Sequence, residues 1–255
     1  SVIEDFGKYW RPEIESVLSS IISQYDPKAM VVSIPPFCMA PLWCKFSQQY
    51  KIPLVLDMRD AWSQWRISPY GSWIHYLLTL RMERMCLERS ARVICTSTQT
   101  RSDLLRVHPG VPESKVSVIT SGYDADINDW RVRWNAKSDV FVIGYVGVFY
   151  YSPMARENMM TAWWRKRPYR MLHYSPRKED WLYRSPYFFF RAVSRLLQNH
   201  PEYWCRLKIR FAGRKPDWID AQIKEFKLGD IVEFAGLLDH PSVLKFQEEC
   251  DGLLI

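Results

Sequence analysis

The run Val140-Phe141-Val142-Ile143-Gly144-Tyr145-Val146-Gly147 constrains this chain more than any other stretch. It is short, apolar and rich in β-branched residues, and it ends in glycine. That pattern predicts a strand buried on both faces, as in a parallel sheet covered by helices. Gly147 then falls where the strand hands over to its loop, the edge of an open α/β sheet where ligands bind. One strand–helix series precedes this strand and a second follows it. The run therefore reads as the first strand of a second domain, with a cleft between the two.

The series before it is regular. Residues 12–24 have helical apolar spacing, with Ile14, Val17, Leu18, Ile21 and Ile22 on one face. A buried-type strand over 29–34 stops at Pro35-Pro36, a helix covers 39–50, and the next strand covers 52–56. Such a βαβ unit implies a parallel sheet. A long amphipathic helix is expected over 75–90, with Leu77, Leu78, Leu80, Met82, Met85, Cys86 and Leu87 as its apolar positions. Strands at 92–97 and 115–119 flank a helix that Thr100 or Ser102 can cap. Residues 130–139 are polar and aperiodic, as in an interdomain linker. After the central run come a helix over 187–198, a strand over 207–212 ending at Gly213, a helix over 217–226, and a strand over 231–235 ending at Gly236. A helix over 241–250 and a strand from Gly252 follow. Two consecutive doubly wound units are the outcome.

Charge is unevenly placed. The formal net charge is +7, and residues 151–184 hold eight basic side chains against three acidic ones, so +5 of it is local. The excess speaks about a partner of that segment rather than of the whole chain. Residues 151–181 are also aromatic and weakly periodic, and read as an insertion. The six cysteines form no CxxC pair and no zinc-type spacing, so buried free thiols are expected. No apolar run reaches the roughly 18 residues that span a bilayer, and no signal peptide is recognisable.

Three places invite chemistry. The second strand ends in Asp57-Met58-Arg59-Asp60, charges whose purely structural burial would cost desolvation; an Arg59–Asp60 pair pinning the loop is the structural alternative. Gly122 permits a positive φ or the close approach of a ligand, or serves an ordinary turn. Ser185 and Pro186 suit the start of the 187–198 helix, whose N-terminus beside Arg184 offers a dipole end and a fixed cation for a phosphate; a capped helix with a solvated arginine is the structural alternative, favoured on these residues alone.

The segments VVSIPPF, KIPLVLDMRDAW, RMERMCLERSARVICTSTQTRSDL, KVSVITSGYDADI, FVIGYVG, LKIRFAG and LGDIVEFAGLLDHPSVLKFQEECDGLLI stand in the order found in family-4 glycosyltransferases, which the chain resembles outside about 151–181. The resemblance implies the α/β GT-B fold, two Rossmann-like domains facing a cleft: residues 1–134 on the acceptor side and 135–255 on the nucleotide-sugar side, the latter carrying an insertion over about 151–183. It implies retaining transfer of a sugar from a nucleotide-sugar donor. Gly147 would lie at the diphosphate loop, Arg184 would neutralise the leaving diphosphate, and Gly213, Arg214 and Gly236 would line the nucleotide side. Arg59 and Asp60 would stand at the catalytic strand end, with Asp57, Ser97 and Gly122 lining the acceptor side. No metal or other cofactor is implied.

The sequence departs from the family at several points. Val148-Phe149-Tyr150-Tyr151 lacks the usual arginine, and no histidine stands at Arg59. The family's glycine-rich first loop would precede Ser1 and its donor-binding carboxylates would follow Ile255. The sequence thus reads as the middle of an enzyme, truncated at both ends. A nucleotide-sugar 2-epimerase or another GT-B enzyme is the alternative within the fold. A single-stranded nucleic-acid module using the aromatic and basic insertion is the alternative outside it, weakened by the confinement of charge to one segment. The expected partners are a nucleotide-sugar donor, a glycan or lipid-linked acceptor, and an anionic membrane touched peripherally from the cytoplasmic side.

Overall fold

The structure, a computed structural model, describes residues 6–64, 69–122 and 139–254, the side chains of residues 6 and 8 excepted. The expected linker, up to residue 138, lies outside the described residues. The chain divides into two compact units, Ser1–Ala125 with Thr161–Glu179, and Asp126–Met160 with Asp180–Ile255.

The first unit is a parallel sheet with helical connections. Helix α1 (Arg11–Tyr25) leads to β1 (Met30–Ile34), α2 (Ala40–Tyr50), β2 (Leu54–Met58), α3 (Trp73–Arg89), β3 (Arg92–Cys95), α4 (Thr98–Val107) and β4 (Val116–Val118). The strands lie side by side in chain order, β1-β2-β3-β4, all parallel. Leu54, Leu56, Met58, Val93 and Cys95 supply the sheet side of a core closed by Ala40, Cys44, Cys86, Leu87 and Leu104 from the helices. Full burial of each such aliphatic side chain stabilises by roughly 1.5–3 kcal/mol.

Three sequence expectations are corrected here. On α1, Leu18 is buried with Ile14 and Ile22 packed near it, whereas Val17 and Ile21 are exposed, because the surface formed by Met39, Leu42 and Phe46 at α2 covers a narrower strip than the apolar spacing offers. On α3, Leu77 and Leu78 are exposed, since the helix turns Thr79, Glu83, Cys86 and Leu87 inward. The cap of α4 is Ser97, whose hydroxyl accepts from the Thr100 amide at 3.1 Å, rather than Thr100 or Ser102.

The second unit comprises β5 (Phe141–Val146), α5 (Pro153–Met160), α6 (Tyr187–Asn199), β6 (Leu207–Ala212), α7 (Ile219–Glu225), β7 (Val232–Gly236), α8 (His240–Glu248) and β8 (Gly252–Leu253). Its sheet order is β7-β6-β5-β8, again all parallel. The central run is therefore an interior strand, as its composition predicts, and β8 returns to the far side of β5. Gly144 is needed in the middle of β5. A Cβ there would lie 2.4 Å from the Cys250 sulfur. Phe190, Val193 and Leu197 of α6 pack on Ile209 and Phe211 to make the core.

The insertion differs most from expectation. Residues 161–179, expected to be part of the second domain, cluster with the first unit. Tyr174 exchanges both backbone hydrogen bonds with Tyr70, at 2.8 and 3.0 Å, and its ring lies 5.1 Å from that of Tyr76. Arg177 pairs with Asp103 at 3.2 Å. The flanks stay with the second unit through α5, which weak periodicity concealed, and through the Arg156–Asp180 pair at 2.6 Å.

Candidate functional site

In the second unit the three glycines meet. Gly147, Gly213 and Gly236 end or follow the adjacent strands β5, β6 and β7, and all three have positive φ, +150°, +140° and +76°. The Gly147 amide donates to the Ala212 carbonyl at 3.0 Å, and the Gly213 amide donates to the Gly236 carbonyl at 2.7 Å. A Cβ on Gly213 would lie 2.1 Å from the Gly147 carbonyl oxygen. Only glycine lets the backbones pass so closely at the carboxyl edge of the sheet. Because these two amides are bonded within the sheet, the glycines shape a side-chain-free floor rather than supply free donors.

The strand order adds what the sequence did not show. From β5 the chain runs outward through β6 and β7, then jumps back to place β8 on the opposite side. The order thus reverses at β5, and open α/β sheets bind ligands in the crevice outside the carboxyl ends at such a reversal. Gly147 stands at that point. On the β8 side, the Leu254 amide donates to the Gly144 carbonyl at 2.8 Å. Leu254 is thus a crevice neighbour that sequence reasoning missed, since strand order is a tertiary property.

The loop leaving Gly147 is fixed by aromatic packing. Phe149 stacks on Tyr145 at 4.5 Å and meets Trp218 edge-on, and Tyr151 meets Trp218 at 4.8 Å. Burial pushes the Tyr145 phenol up from its ordinary value. Arg184 closes the short turn before α6, with its guanidinium over the Trp181 ring at 5.7 Å. The Ser185 hydroxyl accepts from the Tyr187 amide at 3.2 Å, but Pro186 rather than Ser185 occupies the N-cap of α6, one position later than expected. Arg214 is exposed directly after Gly213, and the neighbouring Lys215 pairs with Asp220 at 2.7 Å. A separate cavity of about 400 Å³ lies between Tyr151, Arg156, Tyr187, Trp218, Gln222 and Glu225, outside the glycine edge.

In the first unit, the expected residues share the carboxyl edge of the sheet. Asp57, in β2, accepts a hydrogen bond from the Ser33 hydroxyl at 2.6 Å. The Arg59 amide donates to the Ile34 carbonyl at 3.0 Å, and the Thr96 hydroxyl donates to the Arg59 carbonyl at 3.3 Å. Ser97 caps α4 immediately after β3, and Gly122 follows β4 with nothing within 4 Å of its Cβ position. The side chains of Arg59 and Asp60 are exposed, and among the described residues neither enters an ion pair. The Arg59–Asp60 latch considered from sequence is therefore not what holds the loop.

Two residues further along hold it instead. Trp62 is buried and stacks on Phe37 at 5.4 Å. Ser63 is buried, its amide donating to Glu83 at 3.4 Å and its carbonyl accepting from the Tyr70 hydroxyl at 2.9 Å. Glu83 in turn pairs with His108 at 2.8 Å, both buried. His108 thus serves the structure. Two charges are in this way carried on a rigid support and left facing water.

Residues 5–127 match the model of Glycosyltransferase Family 4. No curated protein sequence matches the chain. Among solved structures, HepE of Anabaena in complex with UDP and glucose is similar over 98% of this chain and 57% of its own, at 15% identity and a TM-score of 0.52. The apo form of the lipopolysaccharide outer core galactosyltransferase WaaB aligns over 97% and 55%, at 11% identity and a TM-score of 0.54. Sucrose-phosphate synthase from Thermosynechococcus elongatus aligns over 95% and 53%, at 15% identity and a TM-score of 0.55. The chain thus spans a little over half the length of these proteins. At such identities the likeness establishes the fold alone, two α/β units with parallel sheets, while the sequence match makes residues 5–127 similar to Glycosyltransferase Family 4.

Proposed function

We propose that this chain belongs to a retaining glycosyltransferase. The second unit holds a nucleotide-diphosphate sugar, and the first unit presents the acceptor. The observation that carries the reading is the reversal of strand order at β5, with Gly147, Gly213 and Gly236 converging beside it. The diphosphate lies over this floor, where a side chain would obstruct it. Arg184, at the start of α6, supports the negative charge that builds on the leaving diphosphate in the transition state. Arg214 stands at the nucleotide side of the same edge. The reading uses backbone, helix dipole and arginine for charge, and requires no metal ion.

On the first unit, Arg59 and Asp60 act on the acceptor side, with Asp57, Ser97 and Gly122 lining the edge beside them. Their exposure, with no ion-pair partner among the described residues, supports this, because charges exposed at a strand end are free to meet a substrate. HepE was captured with UDP and glucose and WaaB is a galactosyltransferase of the lipopolysaccharide core. Those relatives favour a uridine diphosphate hexose as donor and a cell-surface polysaccharide as product. The acceptor is a glycan or a lipid-linked glycan, reached peripherally at the cytoplasmic face of an anionic membrane. The domain halves are residues 1–134 and 135–255, with 161–179 lent to the first.

Ligand-observed NMR with uridine and guanosine diphosphates tests the donor side. Binding is expected, and Arg184→Ala should weaken it about 10- to 100-fold, since a charge-assisted phosphate contact contributes roughly 1.5–3 kcal/mol. Unchanged affinity in the variant would remove Arg184 from the site.

A further inference from the structure

The outer face of α3 is built the wrong way round for a helix that meets only water. Its inward side carries Thr79, Glu83, Cys86 and Leu87. On the opposite side, Trp73, Ile74, Leu77 and Leu78 are exposed by 55%, 64%, 40% and 50%. At 100° per residue these four form one stripe over the first two turns, and the same stripe continues into exposed Arg81 and Arg84. Scattered exposed apolar residues are ordinary, but a contiguous stripe marks an interaction surface.

Residues 161–179 belong to the same unit. The Tyr70–Tyr174 bridge and the Tyr76–Tyr174 ring contact hold this segment against the start of α3. Next to that anchor Leu172 is 74% exposed, and further back Trp163 and Trp164 are exposed by 61% and 65%. Arg165, Lys166, Arg167 and Arg170 stand among them, and residues 161–178 contain no acidic side chain. Nearby carboxylates are already engaged: Glu83 with His108, Glu88 with Arg84, and Asp103 with Arg106 and Arg177.

We propose that this face, the α3 stripe together with residues 161–174, docks the first unit onto an anionic lipid bilayer. Trp73, Ile74, Leu77 and Leu78 enter the boundary between headgroups and acyl chains, while the cations of the segment remain among the phosphates. The chemistry favours lipid over a protein partner. The apolar element is a convex helix face rather than a groove, which suits a deformable layer. Tryptophans with an apolar body and a polar edge sit beside cations that enter no ion pair among the described residues, the combination that anchors proteins at the interfacial zone. Among the described residues no helix is long and apolar enough to cross a membrane, so the contact is from one side. The inference deepens the peripheral membrane contact of the proposed function by assigning it to the acceptor-side unit, and it rests on that reading only for the lipid-linked acceptor.

Co-sedimentation of the full chain with vesicles of neutral phospholipid, and with the same vesicles containing about a third anionic lipid, decides the matter. The expected result is binding to anionic vesicles, loss at high salt, and a roughly 100-fold weaker partition in Arg165→Ala/Lys166→Ala/Arg167→Ala. Ile74→Glu/Leu78→Glu should release the protein while leaving its circular dichroism spectrum and diphosphate binding unchanged. Equal binding to neutral vesicles, no binding, or binding indifferent to the α3 substitutions overturns the proposal. So does a concentration-dependent dimer abolished by the α3 substitutions without vesicle binding, which would assign the stripe to a second copy. Binding of single-stranded oligonucleotide in place of vesicles would likewise overturn it. Diphosphate binding reports on the transferase reading separately, so either can fail while the other stands.

Discussion

Alanine at position 213 should damage the second unit far more than alanine at any other glycine of its loops, and the size can be worked from the geometry. The Cβ would stand 2.1 Å from the Gly147 carbonyl oxygen, a backbone atom that cannot swing aside. The residue also sits at φ +140°, which by itself costs an L-residue roughly 1–3 kcal/mol. Relieving the overlap requires β5 and β6 to part by more than an ångström at their ends. That movement strains the Gly213–Gly236 and Gly147–Ala212 hydrogen bonds, each contributing about 1 kcal/mol. The sum is about 3–5 kcal/mol. Gly236→Ala meets nothing within 4 Å and has only its φ of +76° to pay for, about 1–2 kcal/mol. Gly229→Ala has open space and no positive φ, so it should be neutral or stabilise by up to about 1 kcal/mol. Hydrogen exchange read on a peptide covering Leu207–Ala212 measures the effect locally. Gly213→Ala should speed exchange by about 100- to 1000-fold or more, Gly236→Ala by about tenfold, and Gly229→Ala not at all. If Gly213→Ala costs no more than Gly236→Ala, the close passage of the two strand ends is wrong, and the donor floor built on it falls with it.

Cysteine reactivity offers a second check. Burial pushes the Cys95 thiol up to about 11, and Cys44 and Cys86 are also fully buried. Iodoacetamide at neutral pH should therefore label exposed Cys205 early and spare Cys44, Cys86 and Cys95 until denaturant is added; mass spectrometry showing early labelling of those three would contradict the first core. A third prediction concerns acid. The hydrogen bond from Arg156 holds the Asp180 carboxyl below the usual carboxylate range. Its contribution is therefore present above about pH 4, the ordinary aspartate value, and lost as pH falls through the lowered value. Asp180→Asn should lower Tm at pH 7 and converge with the parent as acid protonates the Asp180 carboxyl. A difference that stays constant across this range would show the pair to be incidental. In the core, Phe190→Ala should cost about 3–5 kcal/mol by urea denaturation, because the ring is wholly buried against Phe211.

Much of the fold was legible where the pattern was local. Residues 140–147 read as a central strand because β-branched residues and a terminal glycine leave few other choices, although the burial expected on both faces is partial, with Phe141 exposed and only Gly144 fully buried; β6 begins and ends where its apolar run does. The glycines at 147, 213 and 236 were recognisable as strand ends, though only the coordinates show that Gly213 passes against Gly147. What periodicity could not supply was the identity of the covering surface. Leu77 and Leu78 have the spacing of core residues, yet α3 turns Glu83 inward, to meet His108 at the end of α4, and turns them outward. A buried carboxylate and imidazole 25 positions apart leave no sequence signal, so the support beneath Arg59 and Asp60 was hidden. Residues 161–179 were misassigned for a related reason. Chain order places them in the second domain, and the contacts that give them to the first depend on Tyr174 and Arg177 finding distant partners. The reversal of strand order at β5 is likewise a pairing decision, made by β8 returning to Gly144.

The central claim is that a nucleoside diphosphate sits over the glycine floor where that order reverses. Backbone chemical-shift mapping of the chain during titration with uridine diphosphate tests it most directly. The account predicts saturable perturbations clustered at Gly147, Gly213, Gly236, Leu254 and the first turn of α6. Perturbations confined to the cavity around Trp218 and Gln222, or to the edge carrying Arg59 and Asp60, with the glycines unmoved, would contradict it.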